Sequence, residues 1–353
     1  CSDPSVGLWG TAVLDSPEWG MAVAIRPGGP TIVLTADREI DLQASVFIFT
    51  GGVTDWDAAT ATLRRAGPIN PGAVVANSDL LALAAGETVH VGGWPEGAAD
   101  LRDYPCLSID SPHILDVGDG NVLLRDQWVA EVVKLEELAE TAAIPCAARE
   151  VEGPELRGWR ISHGDTTGDG TSELLVPSAA AIEVRDSASP SLVLTTVSGG
   201  TKIGVVIAED VDEDGAADLV ISDRQVGNEA GGLGAVYCIL GPVTSDVTLA
   251  DAPITWLNDE DGPGPDAMAV WRTTSGMQLA TLPHNRPGRL DDRFMMGTHL
   301  LSEARMFETD PYMYTEWARP VGDLNQDGWS ELLLLAQLED SSWEWVFVQE
   351  GAP

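Results

Sequence analysis

The sequence predicts an all-β chain folded as a seven-bladed β-propeller, and three observations carry that reading. Strand-sized apolar runs recur seven times in a shared order over 353 residues, at a mean spacing of about 50 residues that suits one repeat architecture better than separate domains. The 37 Gly and 22 Pro are spread along the whole chain rather than gathered in linkers, as many short strands joined by turns require. Three gapless twelve-residue segments, starting at Asp165, Asp210 and Asp323, each place oxygen side chains at positions 1, 3, 5 and 9 and glycine at position 6. Radial repetition hides most sheet edges, so a ring of such units is an economical way to bury the pattern.

Along the chain, the segment 6–14 (VGLWGTAVL) precedes the first unit and is expected to supply the last unit with a fourth strand, closing the ring. The first unit, about 16–66, has apolar runs at 20–25, 31–36 and 44–51, with Arg26-Pro-Gly-Gly where other copies have an acidic loop. The second, 67–105, has runs at 73–76, 80–83 and 88–91. The third, 106–145, has 114–117, 122–124 and 129–135, then one short helical stretch at 135–143. The fourth and fifth, 146–198 and 199–257, carry the first two acidic loops, and the fifth is the most complete copy: 203–208, loop, 219–222, 234–241. The sixth, 258–310, reads as 268–271, 278–282 and 294–300, and the seventh, 311–353, as 317–321, 331–336 and 343–348. All seven form a single domain over 1–353, with 1–15 serving as anchor and closing strand.

The acidic loops are the sharpest chemical signal. Alternating acids put several carboxylates around one tight turn, a crowding that a hard divalent cation relieves, and calcium takes six to eight oxygens. An EF-hand needs a bidentate Glu at position 12, but here that position is Val176, Ile221 and Leu334. Each loop therefore runs into a strand, with Glu173, Asp218 and Glu331 at position 9 as the last ligand. This pattern resembles the FG-GAP repeat of integrin α-subunit propellers and their bacterial relatives, whose calcium loop joins the first two strands of a blade. The resemblance implies about three structural calcium ions. Their side-chain ligands would be Asp165, Thr167, Asp169 and Glu173, then Asp210, Asp212, Asp214 and Asp218, then Asp323, Asn325, Asp327 and Glu331. Main-chain carbonyls at position 7 come from Thr171, Ala216 and Trp329. Asp116 and Asp119 in the third unit lack the full ligand set.

Composition excludes several functions. With 56 Asp+Glu against 19 Lys+Arg the net charge is −37, so no basic face exists for a nucleic-acid backbone or a polybasic membrane contact. Lys134 and Lys202 are the only lysines, and no apolar run approaches the roughly 18–20 residues of a membrane span. GxSxG, P-loop, HExxH and GxGxxG patterns are all absent, and His90, His113, His163, His284 and His299 are scattered. His163, two residues before Asp165, fits an inner strand or its rim better than a ligand position. Acid pairs such as Asp291-Asp292 and Asp259-Glu-Asp261 are expected by chance in so acidic a chain. Trp56, Trp94, Trp256 and Trp329 adjoin turn residues, where exposed indoles would contact sugars or proteins, although packing between blades is the preferred reading.

The chain begins Cys1-Ser-Asp and so resembles a bacterial lipoprotein after signal-peptide removal, with lipid on Cys1. Export permits a Cys106–Cys146 disulfide, while Cys238, inside an apolar run, reads as a buried thiol. The expected function is an exported, lipid-anchored, calcium-stabilised propeller at the outer membrane or cell surface, or extracellular. It would meet a protein or glycan partner as an adhesion or scaffold module, touch the membrane only through the lipid, and have no catalytic activity. The alternatives are a polysaccharide lyase or hydrolase with its site at the propeller axis, and a structural subunit of a surface assembly.

Overall fold

The structure is a computed structural model describing residues 7–13, 21–26, 29–38, 43–50, 62–65, 74–94, 103–110, 112–118, 120–126, 128–157, 161–225, 234–258, 265, 267–273, 276–282, 288–291, 296–300, 305–307, 314–322, 331–337 and 343–349. Among these residues the chain is almost entirely β, arranged in seven sheets. Strand β1 (Gly7–Val13) lies apart from its sequence neighbours and pairs with the last strand. The first sheet holds β2 (Met21–Arg26), β3 (Gly29–Arg38), β4 (Gln43–Thr50) and β5 (Thr62–Arg65). The second holds β6 (Val74–Ala76), β7 (Leu80–Ala85), β8 (Thr88–Gly93) and β9 (Cys106–Ser108). The third holds β10 (Pro112–Asp116), β11 (Asn121–Asp126) and β12 (Val129–Lys134), which leads directly into helix α1 (Leu135–Thr141). Strand β13 (Ala147–Ala148) follows.

The fourth sheet holds β14 (Ser162–Gly164), β15 (Glu173–Pro177), β16 (Ala181–Asp186) and β17 (Val193–Ser198). The fifth holds β18 (Ile203–Glu209), β19 (Asp218–Asp223) and β20 (Ala235–Ile239), and after β21 (Val247–Thr248) it gains β22 (Ile254–Leu257). In the sixth, β23 (Ala267–Thr273), β24 (Gly276–Leu282) and β25 (Gly288–Asp291) are joined, past β26 (Gly297–Leu300), by β27 (Arg305–Phe307). The seventh holds β28 (Tyr314–Gly322), β29 (Glu331–Gln337) and β30 (Trp343–Gln349), with β1 antiparallel to β30.

From the second sheet to the sixth, the described side chains form apolar layers between successive sheets, which explains why their second strands are continuous apolar runs rather than alternating ones. In β11, Val122 and Leu124 face the apolar layer shared with the second sheet, while Leu123 faces the fourth. In β15, Leu174 and Val176 join the layer with the third sheet, and Leu175 that with the fifth. In β19, Leu219 and Ile221 pack toward the fourth sheet and Val220 toward the sixth. The period-two geometry of a strand thus serves two cores at once. The first strands of the sheets also lie side by side: β2 against β6, β6 against β10, and β14, β18, β23 and β28 in succession.

A second device ties neighbouring sheets together at their outer edges. A short parallel strand is added to the preceding sheet by β13, which follows the third sheet, on β9; by β21, between β20 and β22 of the fifth, on β17; and by β26, between β25 and β27 of the sixth, on β22. Such additions cover edges whose N–H and C=O groups would otherwise be free to pair with another chain. They also correct the sequence reading of 294–300 as the third strand of the sixth unit. Gly297–Leu300 pairs with the fifth sheet, and the third strand of the sixth is Gly288–Asp291. Cys106–Ser108, one residue past the expected boundary at 105, pairs with β8 and so belongs to the second sheet. Cys106 is bonded to Cys146 where β9 meets β13. Helix α1 buries Leu135 and Leu138 against the second and third sheets. Among the described residues no helix is long and apolar enough to cross a membrane.

Candidate functional site

The first and second acidic loops each connect the first strand of a sheet to its second, β14 to β15 and β18 to β19. Both have left-handed backbone at positions 4 and 6: Gly168 (φ 74°) and Gly170 (φ 88°) in one, Glu213 (φ 66°) and Gly215 (φ 95°) in the other. These turns let backbone N–H groups point inward. Asp165 accepts hydrogen bonds from the N–H groups of Asp169 (3.0 Å) and Gly170 (2.8 Å). Asp210 accepts from Asp214 and Gly215, both at 3.1 Å. The position-5 acids cap the end of the loop, Asp169 accepting from the Thr171 N–H and hydroxyl and Asp214 from the Ala216 N–H (2.8 Å). The Thr171 donors hold the Asp169 carboxyl below its usual range.

The position-9 acids do something the spacing did not reveal. Glu173 is 3% exposed, and its Oε2 accepts from Thr166 N (2.7 Å), Thr166 Oγ1 (2.9 Å) and Thr167 N (3.1 Å), while Oε1 accepts from Thr167 Oγ1 (3.1 Å). Asp218 is fully buried and accepts from Val211 N (2.8 Å) and Gly241 N (2.6 Å). In both loops, therefore, the acid at position 9 binds the main-chain N–H of position 2, closing the loop onto its own strand. Position 2 is Thr in one and Val in the other, so no side-chain pattern marks this bond. Burial pushes both carboxyls up, against the pull of those donors. Asp218 reaches about 6, with the charges of Asp212 and Asp214 adding to the rise.

These acids come together as cation-sized groups. One oxygen each from Asp165, Asp169 and Glu173 lies within 4.8 Å of the others, and the same holds for Asp210, Asp212 and Asp218. Among the described residues no ion pair reaches Glu173 or Asp218. A buried carboxylate held only by neutral donors, beside two further carboxylates, is a costly arrangement without a countercharge. The donor set is all hard oxygen, and Asp165, Asp210 and Asp218 each accept two hydrogen bonds and keep lone pairs for a cation, while Glu173 takes three of its four bonds on Oε2 and leaves Oε1 the freer oxygen, so the residues fit a calcium ion. The loops differ at position 3, where Asp212 stands in one group and the Thr167 hydroxyl donates to Glu173 in the other. Thr171 and Ala216 occupy position 7.

Of the third loop, Asp323, Asn325, Asp327 and Trp329 lie outside the described residues, and Glu331 is described only as backbone at the start of β29. Cys1, Trp56, Asp119, His284, Asp292 and the 259–261 acids also lie outside them. His163, in β14, sits near Gly118 in the β10–β11 turn, and is not among the acid groups. Asp116 caps that same turn by accepting from Gly118 N (2.9 Å). Trp256, expected in a loop, is instead a strand residue of β22 with no exposure, packed between the fifth and sixth sheets. Trp94 is partly buried and donates from Nε1 to the Asn77 carbonyl (2.9 Å). One buried acid that sequence reasoning passed over is Asp223, 1% exposed, which accepts from the N–H groups of Thr201 (2.5 Å), Lys202 (2.9 Å) and Gln225 (3.1 Å). Its only sequence signal is its place at the end of an apolar run.

No protein family matches the chain, and no curated protein does. Among solved structures it is similar to BBS1N in its complex with ARL6DN, with a TM-score of 0.56 at 10% identity over 97% of this chain and 95% of that one. Hsv2 of Kluyvelomyces marxianus aligns with a TM-score of 0.49 at 11% identity over 92% of this chain and 96% of the other. At such identity the likeness to BBS1N is one of fold, and the fold it shows is that of a β-propeller.

Proposed function

We propose that this chain is an exported, calcium-stapled propeller of seven blades that works as a protein-binding or scaffold module. The observation that carries the metal part is the repeated acidic loop between the first two strands of consecutive sheets, each with a buried acid at position 9 lacking a cationic partner among the described residues. Calcium would be held by Asp165, Asp169 and Glu173 in one loop and by Asp210, Asp212 and Asp218 in the next. Thr167, Asp214 and the carbonyls of Thr171 and Ala216 are available to complete the shells. By its sequence the third loop, Asp323 to Glu331, belongs to the same class. A metal held between two strands by this many protein oxygens staples the blade and leaves little room for a substrate. Pairing of β1 with β30 supports closure of the ring by the N-terminal strand, and the Cys106–Cys146 bond suits an oxidising compartment.

The binding role rests on analogy of fold, since propellers host many functions. BBS1N, the propeller in the likeness above, is seen in complex with a protein. Two measurements test the proposal. Millimolar calcium is expected to raise the thermal midpoint and EGTA to lower it, and an unchanged midpoint overturns the staple. Incubation with neutral and acidic polysaccharides is expected to release no new ends; turnover would replace the binding module by an enzyme.

A further inference from the structure

We propose that the first two acidic loops bind their cations cooperatively, because a shared hydrogen-bonded turn joins the peptide units that hold their buried position-9 acids. The proposal rests on the calcium reading above. The main-chain carbonyl of Asp165 accepts from Ala217 N at 2.7 Å, and Ala217 immediately precedes Asp218. The carbonyl of Thr166 accepts from Val243 N at 2.7 Å, while Thr166 N donates to Glu173 at 2.7 Å. Two residues before Val243, Gly241 N donates to Asp218 at 2.6 Å. One peptide route therefore runs from Glu173 through Thr166 and the 241–243 turn to Asp218. A second runs from Asp165 through Ala217 to Asp218.

Packing makes the connection stiff. A Cβ on Gly168 would lie 3.3 Å from the Ala216 Cβ and 3.7 Å from the Pro242 Cβ, so position 4 of one loop rests on position 7 of the other and on the turn. A Cβ on Gly241 would meet the Ala216 Cβ and the Ala217 carbonyl oxygen, each at 3.0 Å. Gly164, just before the first loop, approaches so closely that its Cβ would fall 2.4 Å from the Ala208 Cβ of β18. Neither loop can shift its backbone without displacing the other. A cation that orders one loop thereby reduces the ordering left for the second, which is positive coupling between sites without any contact between the ions.

The test uses the full chain labelled with ¹⁵N-glycine and titrated with calcium. Gly170 N donates to Asp165 (2.8 Å) and Gly215 N to Asp210 (3.1 Å), so each amide reports its own loop. In the unmodified protein both resonances are expected to move with one midpoint and a steeper than one-site slope. Asp212→Asn, an exposed position outside the connecting route, is expected to weaken binding read at Gly170 about fivefold or more, and Asp169→Asn to weaken binding read at Gly215 in the same direction, because coupling between two sites is reciprocal. Two separate one-site curves in the unmodified protein, with the remote glycine unaffected in both variants, overturn the coupling and leave the calcium reading standing. No response of either glycine to calcium overturns both.

Discussion

Glu213 holds a φ of 66° at position 4 of the second loop, where the first loop has Gly168 at 74°. It is the one non-glycine residue with positive φ among the described residues, and the Cβ of an L-residue is strained in that region. Glu213→Gly is expected to raise the stability of the metal-free protein by about 0.5–1 kcal/mol, as a shift in denaturant midpoint at constant slope. Relief of backbone strain, about 1–2 kcal/mol, is partly offset by the greater freedom that glycine gives the unfolded chain. Cys238 gives a second expectation at this scale. Its thiol is fully buried, and desolvation together with the charges of Asp218 and Asp212 pushes its pKa far up. Iodoacetamide should leave it unmodified in the native protein and label it once the chain is unfolded in urea. Labelling at equal rates in both states would mean that β20 is not buried as described.

At the scale of elements, the sequence announced the second strands well. Runs such as Leu174-Leu-Val176 and Leu219-Val-Ile221 are apolar at every position, because alternate residues face different neighbouring sheets and none faces water. The outer edges were not legible in the same way. Two-residue strands such as Val247–Thr248 have no periodicity, and Gly297–Leu300 could pair with either adjacent sheet as far as local pattern goes. Their choice is made by the parallel register with β17 and β22. The Cys106–Cys146 bond lies beside one such addition and closes a loop of sequence separation 40. On the chain-entropy account, replacing both cysteines with serine should cost about 4 kcal/mol. Chemical denaturation of the double variant checks this, and an unaltered midpoint would mean that the bond constrains the unfolded chain very little.

For the molecule as a whole, the charge of −37 has a patterned part and an unpatterned one. Three calcium ions would bring it only to about −31, so the loops account for where acids are spaced and not for their number; the remaining net charge favours solubility and repels polyanions. Connectivity has a global consequence too. Residues 7–13 pair with the last strand, so removing 6–14 would leave β30 an open edge and break the joint between the chain's ends. That deletion is expected to lower the thermal midpoint of the entire domain in one transition, and an unchanged melt would show that β1 is dispensable.

The all-β character, the positions of the second strands and the spacing of the acidic loops were legible from local residue pattern alone. Each of these depends on residues a few positions apart, where side-chain periodicity and a glycine in a turn act directly. Tertiary contacts settled what the position-9 acids bond to and which sheet each outer strand joins, and they put Trp256 on a strand rather than in a loop. Several of those outcomes are set by groups distant along the chain, such as Asp218 and Gly241, or Trp256 and Met268, brought together when neighbouring sheets exclude water and every buried N–H and carboxylate must find a partner.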